Sequence, residues 1–130
     1  SKDQFGLRIL LQYLMYYLSQ KVSLWYFLAT KTQPTYDLEL IKRLLDDPDK
    51  RFITKECYNN AVGLGYASEQ EIVNQVLKLK KTEFYKSMEA IKIKGLWQDV
   101  YRSNDGTYDL YIKLQISKSG NGVVIQFKEK

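Results

Sequence analysis

Four short stretches hold the side chains that could do chemistry: EFYKSM (83–88), LWQDVYR (96–102), LYIK (110–113) and the terminal FKEK (127–130). Together they supply the amines of Lys86, Lys113 and Lys128, the guanidinium of Arg102, the phenols of Tyr85 and Tyr111, and the amide of Gln98. Amines and phenols carry protons, and fixed cations stabilise charge on a phosphoryl oxygen. The chain has no histidine, so serine–histidine and cysteine–histidine nucleophilic systems lack their base. With a single cysteine, Cys57, no structural zinc site can be assembled and no internal disulfide formed. Acid–base chemistry therefore falls to Lys, Tyr, Asp, Glu or Cys57. The competing reading is a solvated sheet face, on which lysine and tyrosine are ordinary.

Positioning these groups requires strands. After Lys81 the apolar period is two, which predicts strands at about 83–91, 96–103, 107–117 and 122–128. SNDGT (103–107) is a hairpin turn and SKSGNG (117–122) a looser one. Before Lys81 the spacing is helical. Leu38, Ile41, Leu44 and Leu45 mark a helix over 36–46 that ends at DDPDK. Thr54 caps a second helix, with Cys57, Ala61, Val62 and Leu64 inward and Gly65 closing it. Ser68 with Glu71 forms a capping box for a third, reaching Leu79. RFI (51–53) is a brief extended piece. The expected fold is α+β, helices packed on one face of a four-stranded antiparallel meander.

Alternation then sorts the groups. In the third predicted strand Leu110, Ile112 and Leu114 face the helices, so Tyr111, Lys113 and Gln115 face out with Asp109. In the last, Val123, Ile125 and Phe127 oppose Val124, Gln126 and Lys128. The first two strands are mixed. One assignment gathers Lys86, Gln98, Arg102, Tyr111, Lys113 and Lys128 on a single surface. Strict alternation then turns Tyr85 away from Lys86 unless a bulge intervenes. Cations gathered without acids repel one another, and a bound polyanion relieves that repulsion. Trp97, Phe127 and Cys57 are expected in the core, and Asp99 in a structural ion pair.

These same stretches, in this order, resemble the motility quorum-sensing regulator toxin family, bacterial endoribonucleases of type II toxin–antitoxin pairs with a RelE-like fold. The resemblance extends back through YDLELIKRLLDD (36–47), ITKECYNNAVGLG (53–65) and EIVNQVLKLKKTEFYKSM (71–88), and so covers about 36–130. AIKIKG (90–95) departs from the family's usual connection. The resemblance implies an active site of Lys86, Gln98, Tyr111 and Lys128, with Tyr85, Met88, Arg102 and Lys113 as neighbouring substrate contacts. It also implies sequence-selective mRNA cleavage, with GC-containing triplets such as GCU preferred. The cut would proceed by 2′-hydroxyl attack without metal or cofactor, in the cytoplasm. The implied partners are mRNA, a cognate antitoxin, and operator DNA only through that antitoxin. A non-catalytic RNA- or protein-binding module on the same fold is the alternative.

The charge distribution agrees with a polyanion partner for the C-terminal half. Residues 34–77 carry 5 Lys+Arg and 8 Asp+Glu, a net of −3, and residues 78–130 carry 11 and 6, a net of +5. Residues 1–33 differ from the 34–130 domain. ILLQYLMYYLSQKVSLWYFLAT (9–30) is apolar around most of a helix, interrupted by Gln12, Ser19, Gln20 and Lys21. A mid-span lysine costs roughly 2.5–3.5 kcal/mol, which argues against a spanning helix. This hydrophobic extension is read as a helix that packs on the domain or a partner. Upstream sequence outside the gene product and membrane association are the alternatives. TKTQPT (30–35) reads as a linker.

Overall fold

The computed structural model describes residues 2–130, with side chains for residues 4–20 and 29–130. The chain falls into two compact units, Ser1–Lys31 and Thr32–Lys130. The first is a helix, α1 (Lys2–Leu28), followed by a two-residue strand, β1 (Thr30–Lys31). Apolar residues run around α1 rather than along one stripe, and every residue from 4 to 20 is exposed. Among the described residues no helix is long and apolar enough to cross a membrane.

The second unit runs α2 (Leu38–Asp46), β2 (Arg51–Ile53), α3 (Lys55–Gly63), α4 (Glu69–Val76), β3 (Phe84–Glu89), β4 (Trp97–Asn104), β5 (Asp109–Ile116) and β6 (Gly122–Glu129). Helix α2 buries Leu38, Ile41 and Leu45, spaced three and four apart on one face. Asp47 and Pro48 follow it, and the proline has no N–H with which to continue the helix. Helix α3 opens at Thr54, whose hydroxyl accepts from Cys57 N at 3.1 Å and donates to the Ile125 carbonyl at 3.0 Å. Helix α4 opens at the predicted cap Ser68, but Glu71 reaches past it to the preceding residue and so does not close the box. Ser68 Oγ accepts from Glu71 N, and the Glu71 carboxylate accepts from Ala67 N. The helix stops at Val76, earlier than expected, although Leu79 is still buried. On α3, Val62 is 47% exposed rather than inward, and Cys57 and Ala61 make the buried face.

Within this unit the strands lie in the order β3-β4-β5-β6-β2. β3 to β6 form the expected antiparallel meander. The correction to the four-stranded expectation is RFI, which adds β2 parallel to β6, pairing Arg51 with Gly122 and Ile53 with Val124. Three residues with no room for alternation give no pattern to read. Their partner strand lies about seventy residues further on, and α3, α4 and three strands intervene. Arg51 holds the strand from the outside, donating to Glu69 at 2.8 Å and to the Leu45 carbonyl at 3.2 Å.

The core lies between the helices and one sheet face. It joins Ile41, Leu45, Ile72 and Val76 to Tyr101, Leu110, Ile112, Leu114, Val124 and Phe127. Trp97 is only half-buried, so it does not belong with Phe127 in that core. Asp99 is fully buried on the helix side of β4, and its partners are backbone N–H groups rather than the expected cation. Its Oδ1 accepts from Thr35 N at 3.0 Å and its Oδ2 from Tyr36 N at 2.9 Å. The Thr35 and Ser87 hydroxyls meet at 2.7 Å, and the Tyr36 hydroxyl donates to the Trp97 carbonyl at 2.7 Å. The end of the predicted linker is thus stitched to β4 by a buried, hydrogen-bonded carboxylate and to β3 by a pair of hydroxyls.

Helix α2 comes close to the sheet at Gly122. A Cβ built there would stand 3.0 Å from Leu44 Cβ and 3.2 Å from Leu45 Cγ. Gly122→Ala should therefore push α2 off the start of β6 and cost about 1–3 kcal/mol, the usual range for overpacking. Urea unfolding checks this, and an unchanged midpoint would show that α2 has slack there.

Candidate functional site

The open face of the sheet, away from the helices, is built in cross-strand rows. Arg102 on β4 pairs with Tyr111 on β5, which pairs with Lys128 on β6. In the next row Lys86 pairs with Val100, Val100 with Lys113, and Lys113 with Gln126. Met88 pairs with Gln98 in the row beyond. Neighbouring strands lie about 4.8 Å apart, so these rows set the side chains next to one another on one face. Lys86, Gln98, Tyr111 and Lys128 are brought together, and so are Met88, Arg102 and Lys113.

Two bulges make this arrangement, and both correct the strict alternation. The register shifts between Phe84 and Lys86. Phe84 therefore lies core-side, edge-on to Tyr101 with ring centroids 5.6 Å apart, and Lys86 and Met88 lie on the open face. Tyr85, the extra residue, is also on that face: the Arg102 guanidinium carbon stands 3.4 Å from its ring centroid and Lys86 Nζ 5.3 Å. Tyr85 and Lys86 are therefore not split. The second shift falls at Ile125, between the pairs Lys113–Gln126 and Leu114–Val124. It turns Val124 into the core with Phe127, against the alternation expected for this strand, and leaves Lys128 facing out.

Val100 is the floor of the site. It lies on the open face yet is fully buried, flanked by Lys86 and Lys113. Lys128 Nζ is 5.2 Å from the Tyr111 ring centroid, so a cation sits beside that phenol. Gln98 is oriented by Gln115, whose Oε1 accepts from Gln98 Nε2 at 3.0 Å. Gln115 is nearly buried and was not among the expected site residues, although it shares the parity of Tyr111 and Lys113. The one carboxylate of that parity on β5, Asp109, lies at the far end of the face and accepts from Asn104 Nδ2 at 2.8 Å.

Charge is the dominant feature. Burial first, then the ammonium groups of Lys128 and Lys86, hold the Lys113 amine below the ordinary lysine pKa, and the Glu56 carboxylate opposes them. The Arg102 guanidinium sits over the Tyr85 ring, and its Nε is buried without a hydrogen-bond partner. Among the described residues no group of three or more Cys, Asp or Glu could hold a metal ion. Two cavities of this unit, about 510 and 300 Å³, open elsewhere. One lies by Thr35, Lys81 and Tyr101 and the other by Tyr66 and Asp105. The site is an accessible surface suited to an extended anion.

Anions should relieve the repulsion. At fixed ionic strength, replacing chloride with phosphate should raise Tm more in the wild type than in a Lys86→Ala/Lys113→Ala variant, because an anion that binds only the folded state stabilises it. Equal increments would mean that only the general salting effect of phosphate is at work.

Comparison with known proteins matches the chain to a family. The family model described as motility quorum-sensing regulator, toxin of MqsA, covers residues 33–129. A relative from Escherichia coli (strain K12), described as mRNA interferase toxin MqsR, is 31% identical over 100 residues, which are 77% of this chain and 98% of that protein. The chain belongs to the motility quorum-sensing regulator toxin family.

Proposed function

We propose that this chain is the endoribonuclease toxin of a toxin–antitoxin pair and that it cuts mRNA on the open face of β3–β6. The observation that carries the reading is the gathering of Lys86, Gln98, Tyr111 and Lys128 with Arg102 and Lys113 over Val100, in a chain of this family. The E. coli relative's description as an mRNA interferase supports the substrate class.

Cleavage needs no group outside this set. The 2′-hydroxyl of one nucleotide loses its proton and attacks the adjacent phosphorus. The P–O5′ bond breaks, and the departing oxygen takes a proton. The products are a 2′,3′-cyclic phosphate and a free 5′-hydroxyl. Lys128 and Arg102 stabilise the charge on the non-bridging oxygens. Gln98, held by Gln115, orients the phosphate. Tyr111 carries a proton beside it, and Lys86 adds to the positive charge of the face. Tyr85 and Met88 lie at the margins, where unstacked bases are read. DNA, with no 2′-hydroxyl, binds without being cut. The reaction proceeds in EDTA. A cognate antitoxin of the MqsA kind restrains the toxin and carries its contact with operator DNA.

The test is incubation of the purified chain, in EDTA, with an RNA transcript containing every triplet. Products ending in cyclic phosphate support the enzyme, and mapping their ends gives the preferred triplet. A stable mobility shift without products would make the chain a binding module instead. Lys128→Ala, which removes charge stabilisation, should slow cleavage by roughly 10²–10³-fold, and Tyr111→Phe, which removes a proton carrier, by roughly 10²–10⁴-fold. Circular dichroism should show an unchanged fold. Near-wild-type cutting by both variants would move the chemistry elsewhere.

A further inference from the structure

The geometry points to Lys113 as the group that takes the proton from the attacking 2′-hydroxyl. This rests on the endoribonuclease reading and names its base.

β5 is an interior strand, and Lys113 occupies the middle of the open face. Lys86 lies two strands away across Val100, Gln126 is its partner on β6, and Tyr111 with Lys128 stands in the adjoining row. Lys128, by contrast, is exposed near the chain end, while Lys113 is half-buried beside the wholly buried Val100. An amine acts as a base only when neutral, and burial among like charges favours the neutral form. The charged groups acting on Lys113 come from three elements: Lys86 on β3, Lys128 on β6 and Glu56 on α3. The first two lower its affinity for a proton and Glu56 raises it. Arg102 in the next row of β4 faces the same area.

The step balances within the site. The Lys113 lone pair takes the 2′-hydroxyl proton as the new P–O2′ bond forms. The electron pair of the breaking P–O5′ bond stays on O5′, which receives a proton from the Tyr111 phenol. Tyr111 stands beside Lys128, whose positive charge stabilises the phenolate that forms. One proton enters the site and one leaves it, so no metal or redox partner is needed.

The experiment is the pH–rate profile of cleavage of the all-triplet transcript. Wild-type rate should climb with pH through an acid limb whose midpoint lies below the ordinary lysine value of about 10.4. Lys113→Arg keeps the charge but cannot deprotonate in this range. It should bind RNA with little change in KM and cut roughly 10²–10⁴-fold more slowly, with that limb gone. Lys113→Met, which loses both charge and base, should be slow as well. Thermal melting confirms that each variant is folded. Glu56→Gln should move the midpoint to lower pH, and Lys86→Gln, on its residual activity, to higher pH. Wild-type rate and profile in Lys113→Arg would overturn the assignment and leave the nuclease standing. No cleavage by the wild type would overturn both.

Discussion

Mutual repulsion among the side chains of one sheet face is the constraint around which this structure is arranged. Lys86, Arg102, Lys113 and Lys128 come from four different strands and have nothing to gain from one another's company in water. Only the hydrogen-bonded register of β3–β6 sets them side by side. That register in turn depends on the opposite face, where Tyr101, Leu110, Ile112, Leu114 and Phe127 pack beneath the helices. Each buried aliphatic or aromatic side chain contributes about 1.5–3 kcal/mol. The strands therefore cannot slip to spread the charge, since a one-residue slip would expose this entire set.

The rear of the sheet is organised to resist such movement. Asp99 precedes Val100, the floor of the site, and its carboxylate takes the N–H groups of Thr35 and Tyr36. Ser87, next to Lys86, is tied to Thr35 in the same way. At the other end of β4 the hairpin is closed by Asp105. This residue accepts from Thr107 N, Tyr108 N and the Tyr66 hydroxyl at 2.7–2.8 Å and is held below the usual carboxylate range by those bonds. Gly106, with φ of +94°, supplies the left-handed turn residue there. Asp99, Ser87 and Asp105 thus serve as fasteners of the sheet and not as members of its cationic face.

Much of this was legible in the residues. The alternation of β5 places Tyr111, Lys113 and Gln115 correctly because every second residue there is a large aliphatic one. Ser68 with Glu71 and Thr54 mark their helix starts for equally local reasons. What stayed hidden is non-local. A bulge leaves no composition signal, so the company Tyr85 keeps with Arg102 and the inward turn of Val124 could not be read from period two. The parallel pairing of Arg51–Ile53 with β6 depends on a partner some seventy residues away. Trp97 looks like core by type, but it sits at the start of β4 opposite Glu89, where the helices give only partial cover. Asp99 looks like half of an ion pair, and its partners are instead main-chain groups that no sequence pattern announces.

The absence of histidine sharpens the physical problem that any acid–base chemistry here must meet. An exposed lysine titrates well above neutrality and an exposed tyrosine nearly as high, so neither moves protons readily at pH 7. The remedy available to this fold is electrostatic: burial and neighbouring cations favour the neutral amine. The same cations make a landing place for a phosphate, whose arrival partly cancels their repulsion. Substrate binding and proton affinity are consequently coupled. An anion seated among Lys86, Arg102 and Lys128 would raise the proton affinity of Lys113 as it docks, which strengthens the neutral amine as a base while opposing its neutral form, so the amine has to be neutral before the phosphate arrives. An open, cationic sheet face can in this way perform what a histidine in a pocket does elsewhere. It also admits a polymer lengthwise, as an enclosed cavity would not.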